Sequence, residues 1–151
     1  MDTWELVARE AIRETVAEYA HFADSGRFAD FAALFAVDGV LEVHGEPPLA
    51  GRDAIQAFLE GVGVQLSGAT TVPIIRHHVS NLKIDVISPR EARGACYFLA
   101  VTEHGVDHWG RYRDHYAPAG DGPAGRWLFA HRYVRTDGTA PGGWAESRSP
   151  A

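Results

Sequence analysis

From residue 74 to residue 135 the sequence is almost entirely strand-like. Four runs, 74 to 87, 93 to 104, 107 to 117 and 126 to 135, are separated by the turn sequences "SPRE" and "EHGV" and the longer "APAGDGPAG". Turns this short join antiparallel neighbours, because a parallel return needs a crossover of a dozen residues or more. The chain is thereby committed to an antiparallel sheet, and whatever precedes residue 74 must pack on it.

What precedes it is mainly helical. Trp4, Ala8, Ala11, Ile12, Thr15, Val16, Tyr19 and Ala23 recur at helical spacing, which predicts a helix over residues 2 to 24. Asp2 with Glu5 is a capping-box pattern, and Gly26 suits the left-handed residue that ends a helix. "FADFAALFA", residues 28 to 36, reads as a second helix, and "GVLEVHG", 39 to 45, alternates like a strand. "EPPLAG" breaks it, and "RDAIQAFLEGV", 52 to 62, reads as a third helix. Helices followed by consecutive antiparallel strands give an α+β fold, with about three helices on a strongly curved, mostly antiparallel sheet that encloses a pocket. One domain over residues 1–138 is expected, with an extended Gly- and Pro-rich tail over 139–151.

Composition narrows the function classes. With 46% hydrophobic residues the chain can bury a core without metals or disulfides. A formal charge of −6 argues against a nucleic-acid-binding role, which needs a basic stripe. The single cysteine, Cys96, sits in an apolar run, so a reducing, cytoplasmic setting is expected. "MDTWELVARE" is amphipathic and acidic, unlike a signal peptide, and no apolar run reaches bilayer length. There is no Gly-rich phosphate loop and no GxSxG elbow. His104 and His108 straddle a turn, which makes a metal site there weak. Neither a cofactor nor a metal is expected.

A few residues stand out chemically. Asp24 ends the first helix, where the helix dipole and its apolar neighbours Phe22, Ala23 and Phe28 disfavour a carboxylate that lacks a partner. "RHHVSN", 76 to 81, places two adjacent histidines in a strand, so they point to opposite faces. Simple alternation groups His78 with Leu82, Ile84 and Val86, and leaves His77 with Val79 and Asn81. A bulge near residues 79 to 81 would change that register, and periodicity alone leaves both histidines open. Arg132 has the apolar parity partners Leu128, Ala130 and Val134, so it needs an anionic partner or a bound polar group. Tyr19 lies on the apolar face of the first helix.

The order "ADSGRFADFAALFAVDGVLEV", "PLAGRDAIQAFL", "RHHVSNLKIDV", "GRYRDHY" and "GRWLFAHRYVRTDG" resembles the SnoaL-like group of the NTF2-like superfamily. Within it the sequence looks closest to the branch that contains scytalone dehydratase, bile-acid 7α-dehydratase and hexachlorocyclohexane dehydrochlorinase. The resemblance implies the α+β cone. It places the family's catalytic Asp on Asp24 and its catalytic His, four residues before an Asn, on His77. It also places an active-site Tyr on Tyr19 and an active-site Arg on Arg132. A second acid of the bile-acid enzyme would fall near Ala100 and a second histidine of scytalone dehydratase near Thr102, and neither is matched.

The resemblance thus implies a cofactor-independent dehydratase, a lyase, acting on a hydrophobic, cyclic hydroxy-carbonyl compound through an Asp–His dyad. His78 is then structural, and Phe28, Ala100, Thr102 and Tyr112 are expected to contact the substrate. The alternatives are an isomerase or polyketide-type cyclase using the same dyad, or a non-catalytic ligand-binding domain. No nucleic-acid or membrane partner is expected. A homo-oligomer, trimer or dimer, is expected, with the tail packing Trp144 on the sheet or over a pocket, its own or a neighbour's.

Overall fold

Helix α1 (Thr3–Asp24) lies across the concave face of a six-stranded sheet and buries Ala8, Ile12, Thr15, Val16 and Tyr19 against it. The computed structural model describes residues 1–67 and 74–148. The start of α1 is held by the backbone N–H of Asp2 donating to Glu5 Oε2 at 2.8 Å. Ser25 caps its end, and Gly26 follows at φ +72°, a conformation that costs glycine little. A short α2 (Phe28–Ala32) and then α3 (Arg52–Ser67) complete the helical layer.

The strands are β1 (Phe35–Val43), β2 (Leu49–Ala50), β3 (Ile75–Ser88), β4 (Glu91–Thr102), β5 (Gly105–Pro118) and β6 (Trp127–Thr139), in the spatial order β2-β1-β6-β5-β4-β3. All neighbours are antiparallel except β1 and β6, which run parallel. The core lies between the helices and the concave face, where Phe31, Phe35, Leu41, Phe98, Tyr112, Trp127 and Phe129 form one cluster with the buried side chains of α1. Thr15 ties α1 to the sheet by donating its hydroxyl to the Trp127 carbonyl at 2.5 Å.

Two expectations are corrected here. The second helix stops at Ala32 instead of reaching residue 36, and the strand that follows begins at Phe35 instead of residue 39. Phe35 is fully buried opposite Phe129, and the Leu34 carbonyl accepts the Phe129 N–H at 2.9 Å. Burial in the sheet outweighs the helical preference of "FAALFA". The stretch "EPPLAG", read as a plain break, contributes the two-residue edge strand β2. Most of "SGATTVP" and the last residues of the tail lie outside the described residues, while Thr139, the first residue of the expected tail, ends β6.

Extra residues in three strands set which side chains face inward. On β3, Ser80 pairs with Tyr97 and Lys83 with Ala95, so Asn81 and Leu82 together oppose Cys96. Asn81 takes up the slack at φ +56°, a left-handed conformation that asparagine tolerates. His77 and Val79 therefore share the inner face with Leu82, Ile84 and Val86, and His78 is exposed outside. On β5 the ladder slips between Val106 and His108, which leaves Asp107 as the added residue. On β6 it slips between Phe129 and His131, so Arg132 lies inward with Trp127 and Phe129 instead of with Leu128 and Ala130.

Candidate active site

The carboxylate of Asp24 receives two hydrogen bonds from His77. The ring Nδ1 donates to Oδ1 at 2.6 Å, and the backbone N–H donates to Oδ2 at 2.9 Å. An acid at the negative end of a helix dipole is thus compensated by donors from β3. With Nδ1 engaged by a carboxylate, Nε2 of His77 is left free of that contact, and its lone pair is available in the neutral ring.

His77 lines a cavity of about 270 Å³ between the helices and the sheet. Most of its wall is apolar, with Phe28, Phe31, Leu41, Phe58, Phe98 and Val134 among the lining residues. Its polar contributors are few: His77, His108, Tyr19, Tyr112 and Thr136. A pocket with an apolar body and a few polar groups suits a small ring compound. A wider depression on the outer side, bordered by His21, Arg27, Arg76 and His78, shares His77 with it and is lined by Asp24 as well, which gives the pair access to solvent.

Tyr19 and Tyr112 are buried in the cavity wall, 5.6 Å apart between ring centroids. Burial raises the pKa of both phenols, against the opposing pull of Arg132, so at neutral pH each keeps its proton and is able to donate a hydrogen bond. Arg132 itself does not line the cavity. It is fully buried behind the two tyrosines, and its guanidinium carbon lies 4.2 Å from the Tyr19 ring centroid, 3.9 Å from that of Tyr112 and 4.3 Å from that of Phe129. Its anionic partner is Asp114, reached by Nε at 2.7 Å and Nη2 at 2.8 Å, and the Tyr116 hydroxyl also donates to Asp114 at 2.7 Å. Burial works against the arginine's charge, but Asp114 outweighs it and the guanidinium stays protonated.

The expected substrate contacts divide. Phe28 and Tyr112 line the cavity. Ala100 is fully buried between its strand partners His77 and His108, and Thr102 pairs with Ile75 and Gly105 at the end of β4; neither lines the cavity. Cys96 is buried, and burial pushes its thiol up to about 11, so it offers no thiolate.

Sequence reasoning missed a second carboxylate–imidazole pair. His108 Nδ1 lies 2.7 Å from Asp107 Oδ2, both side chains are buried, and His108 lines the cavity. Adjacent strand residues normally point apart, and here the slip on β5 turns both inward. Only the "DH" dipeptide near a turn hinted at it. Trp144 also lines the cavity of its own chain, and its backbone N–H donates to Asp107 Oδ1 at 2.6 Å. Among the described residues no cluster of His, Cys, Asp and Glu could hold a metal ion, and no helix is long and apolar enough to cross a membrane.

This architecture, helices over a curved mixed sheet with a pocket between them, is the NTF2-like cone. The SnoaL-like domain matches residues 4–139, and the chain belongs to that family. A scytalone dehydratase-like protein from Novosphingobium aromaticivorans superposes with a TM-score of 0.76 at 30% identity, covering 93% of this chain and 91% of its own. A protein from Catenulispora acidiphila, solved in complex with S-DNPA, gives 0.71 at 28% identity, covering 85% and 92%. An NTF2-like protein with a cystatin-like fold, also from Novosphingobium aromaticivorans, gives 0.73 at 23% identity over 95% and 88%, which speaks to the fold alone. No curated protein matches the sequence.

Proposed function

We propose that the protein is a cofactor-independent dehydratase acting on a hydrophobic, cyclic hydroxy-carbonyl compound, with His77 as the general base. The observation that carries this reading is the Asp24–His77 contact on the wall of an apolar cavity. Nε2 of His77 takes the proton from the carbon next to the carbonyl, and Asp24 holds the ring and stabilises the imidazolium. The electron pair forms an enolate whose oxygen accepts a hydrogen bond from Tyr19. The enolate expels hydroxide from the neighbouring carbon, forming the double bond. The imidazolium then returns its proton to the hydroxide, which leaves as water, and His77 is neutral again. Arg132 acts through Tyr19 as a positioning residue, with its charge against the ring face.

The test is turnover of a panel of cyclic β-hydroxy-ketones, followed by the appearance of enone absorbance, in the native protein and in His77→Ala. Exchange of the α-proton with deuterated solvent but no loss of water would redirect the reading to an isomerase or cyclase. Binding with neither exchange nor turnover would leave a ligand-binding domain. The same reading takes the protein as a homo-oligomer, since Ile87, Tyr97 and Trp109 are exposed. Sedimentation at monomer mass would overturn that part.

A further inference from the structure

A second pair faces the first. The rings of His77 and His108 lie 6.2 Å apart between centroids, close to perpendicular, in the wall of the same cavity. Each has its Nδ1 held by a carboxylate, so in the neutral state each offers the cavity an Nε2 lone pair. Asp107 does more than hold His108. Its Oδ1 accepts the N–H of Trp144 at 2.6 Å and its Oδ2 that of Ala145 at 3.2 Å, while its backbone carbonyl accepts the N–H of Ala140 at 2.8 Å. Gly143 is seated so closely that a Cβ there would meet Asp107 Oδ1 at 2.8 Å. One carboxylate thus fastens the C-terminal segment and orients a ring of the cavity wall, and Trp144 stands beside that ring at 6.3 Å.

The electrostatics favour a neutral His108. Burial lowers its pKa, the hydrogen bond and charge of Asp107 oppose this, and His77 adds to the lowering. The two peptide N–H groups draw on the same carboxylate, which leaves less of its charge for the imidazole. The titratable groups gathered here are Asp107 on β5, His77 on β3, and Asp24 at the end of α1 behind His77. A neutral ring with its Nδ1–H committed to Asp107 can only accept a proton or a hydrogen bond at Nε2.

We propose that His108 is a second substrate-contacting residue, which accepts a hydrogen bond from a substrate hydroxyl opposite His77, and that Asp107 positions it only while residues 140–145 are docked. The proposal rests on reading this cavity as the active site, and it narrows the substrate to ring ketones with a hydroxyl besides the one that leaves. One hydroxyl departs under the action of His77, and the other is held by His108.

Three probes share one ring body and differ in donors: 2,3-dihydroxynaphthalene, 3-methoxy-2-naphthol and 2,3-dimethoxynaphthalene. In the native chain each loss of a donor weakens binding about tenfold, the size of one hydrogen bond to a neutral acceptor. In His108→Phe the first two probes bind equally. Gly143→Val, outside the cavity, behaves like His108→Phe, and the NMR titration midpoint of His108 rises toward the ordinary value as the segment releases Asp107. Ala145→Pro, which removes one peptide donor, gives the same comparison if Gly143→Val fails to fold. Native probe ratios in His108→Phe, or an unmoved His108 titration in both segment variants, overturn the proposal. The base assignment fails separately: if His77→Ala keeps full turnover while the probe ratios change as described, His108 stands and the dehydratase mechanism does not.

Discussion

Asp24 binds His77 through both the ring and the backbone of the same residue, with Oδ1 at 2.6 Å from Nδ1 and Oδ2 at 2.9 Å from the amide nitrogen. Such a clamp fixes the position of the imidazole as well as its tautomer. On the proposed mechanism, His77→Ala should lower kcat by about 10² to 10⁴. Asp24→Asn should fall in the same range, and the double variant should be little worse than the worse single one, because the two act as a unit. Steady-state kinetics on the first enone-forming substrate checks this. Losses that multiply in full would show two independent roles.

The Arg132–Asp114 pair is fully buried, and its members lie on neighbouring strands. Asp114→Ala leaves an unpaired guanidinium among aromatic rings and should cost about 3–5 kcal/mol in urea denaturation. Replacing both, Arg132→Met with Asp114→Leu, should recover most of that loss, since it removes the stranded charge as well as the pair. A cost below about 1 kcal/mol for Asp114→Ala would mean that water reaches the site.

Asn81 sets the register of β3 from a left-handed conformation. Asn81→Gly should stay within about 0.5 kcal/mol of the native protein, whereas Asn81→Val should cost about 1–2 kcal/mol. Because the extra residue decides which histidine turns inward, the valine variant should also lose activity out of proportion to its stability. Activity retained in Asn81→Val would show that the register survives without it.

His108 is buried with its pKa lowered, so the folded state disfavours its protonation. As pH falls below the ordinary histidine value of about 6.5, the unfolded chain takes up a proton that the folded one resists, and stability declines until the folded pKa is passed. The contribution is fully present above that window. Thermal melts from pH 7.5 down to pH 5 should show a decline that is shallower in His108→Gln. Parallel curves would assign the decline to other groups.

The element order was legible because it rests on period. The inner face of α1 and the four long strands follow from apolar spacing, and the turns follow from Gly and Pro. The end of α2 was hidden, because "FAALFA" is good helix sequence and only the fit of Phe35 against Phe129 makes it strand. The choice between His77 and His78 could not come from alternation, since one residue, Asn81, resets it. Resemblance placed the base on His77, yet it had no counterpart for Asp107 and His108. Their adjacency argues against a shared face unless the slip on β5 is known. Asp114, the partner of Arg132, lies 18 residues earlier in the chain, and such a pairing is a property of the folded sheet alone.

The parallel pairing of β1 with β6 has a further consequence, in time. β6 carries Trp127, Phe129 and Arg132 into the core and, among the described residues, is the strand that joins β1 and its edge partner β2 to β5, β4 and β3. During synthesis α1, α2 and β1 emerge long before the surface that buries them, and nearest-neighbour hairpins among β3, β4 and β5 can form first. The contact between β1 and β6 closes a loop spanning most of the chain, which makes it a slow, late step. Until it closes, Tyr19 and Phe35 lack the cover of Phe129, so the nascent protein is most prone to aggregation just before β6 arrives.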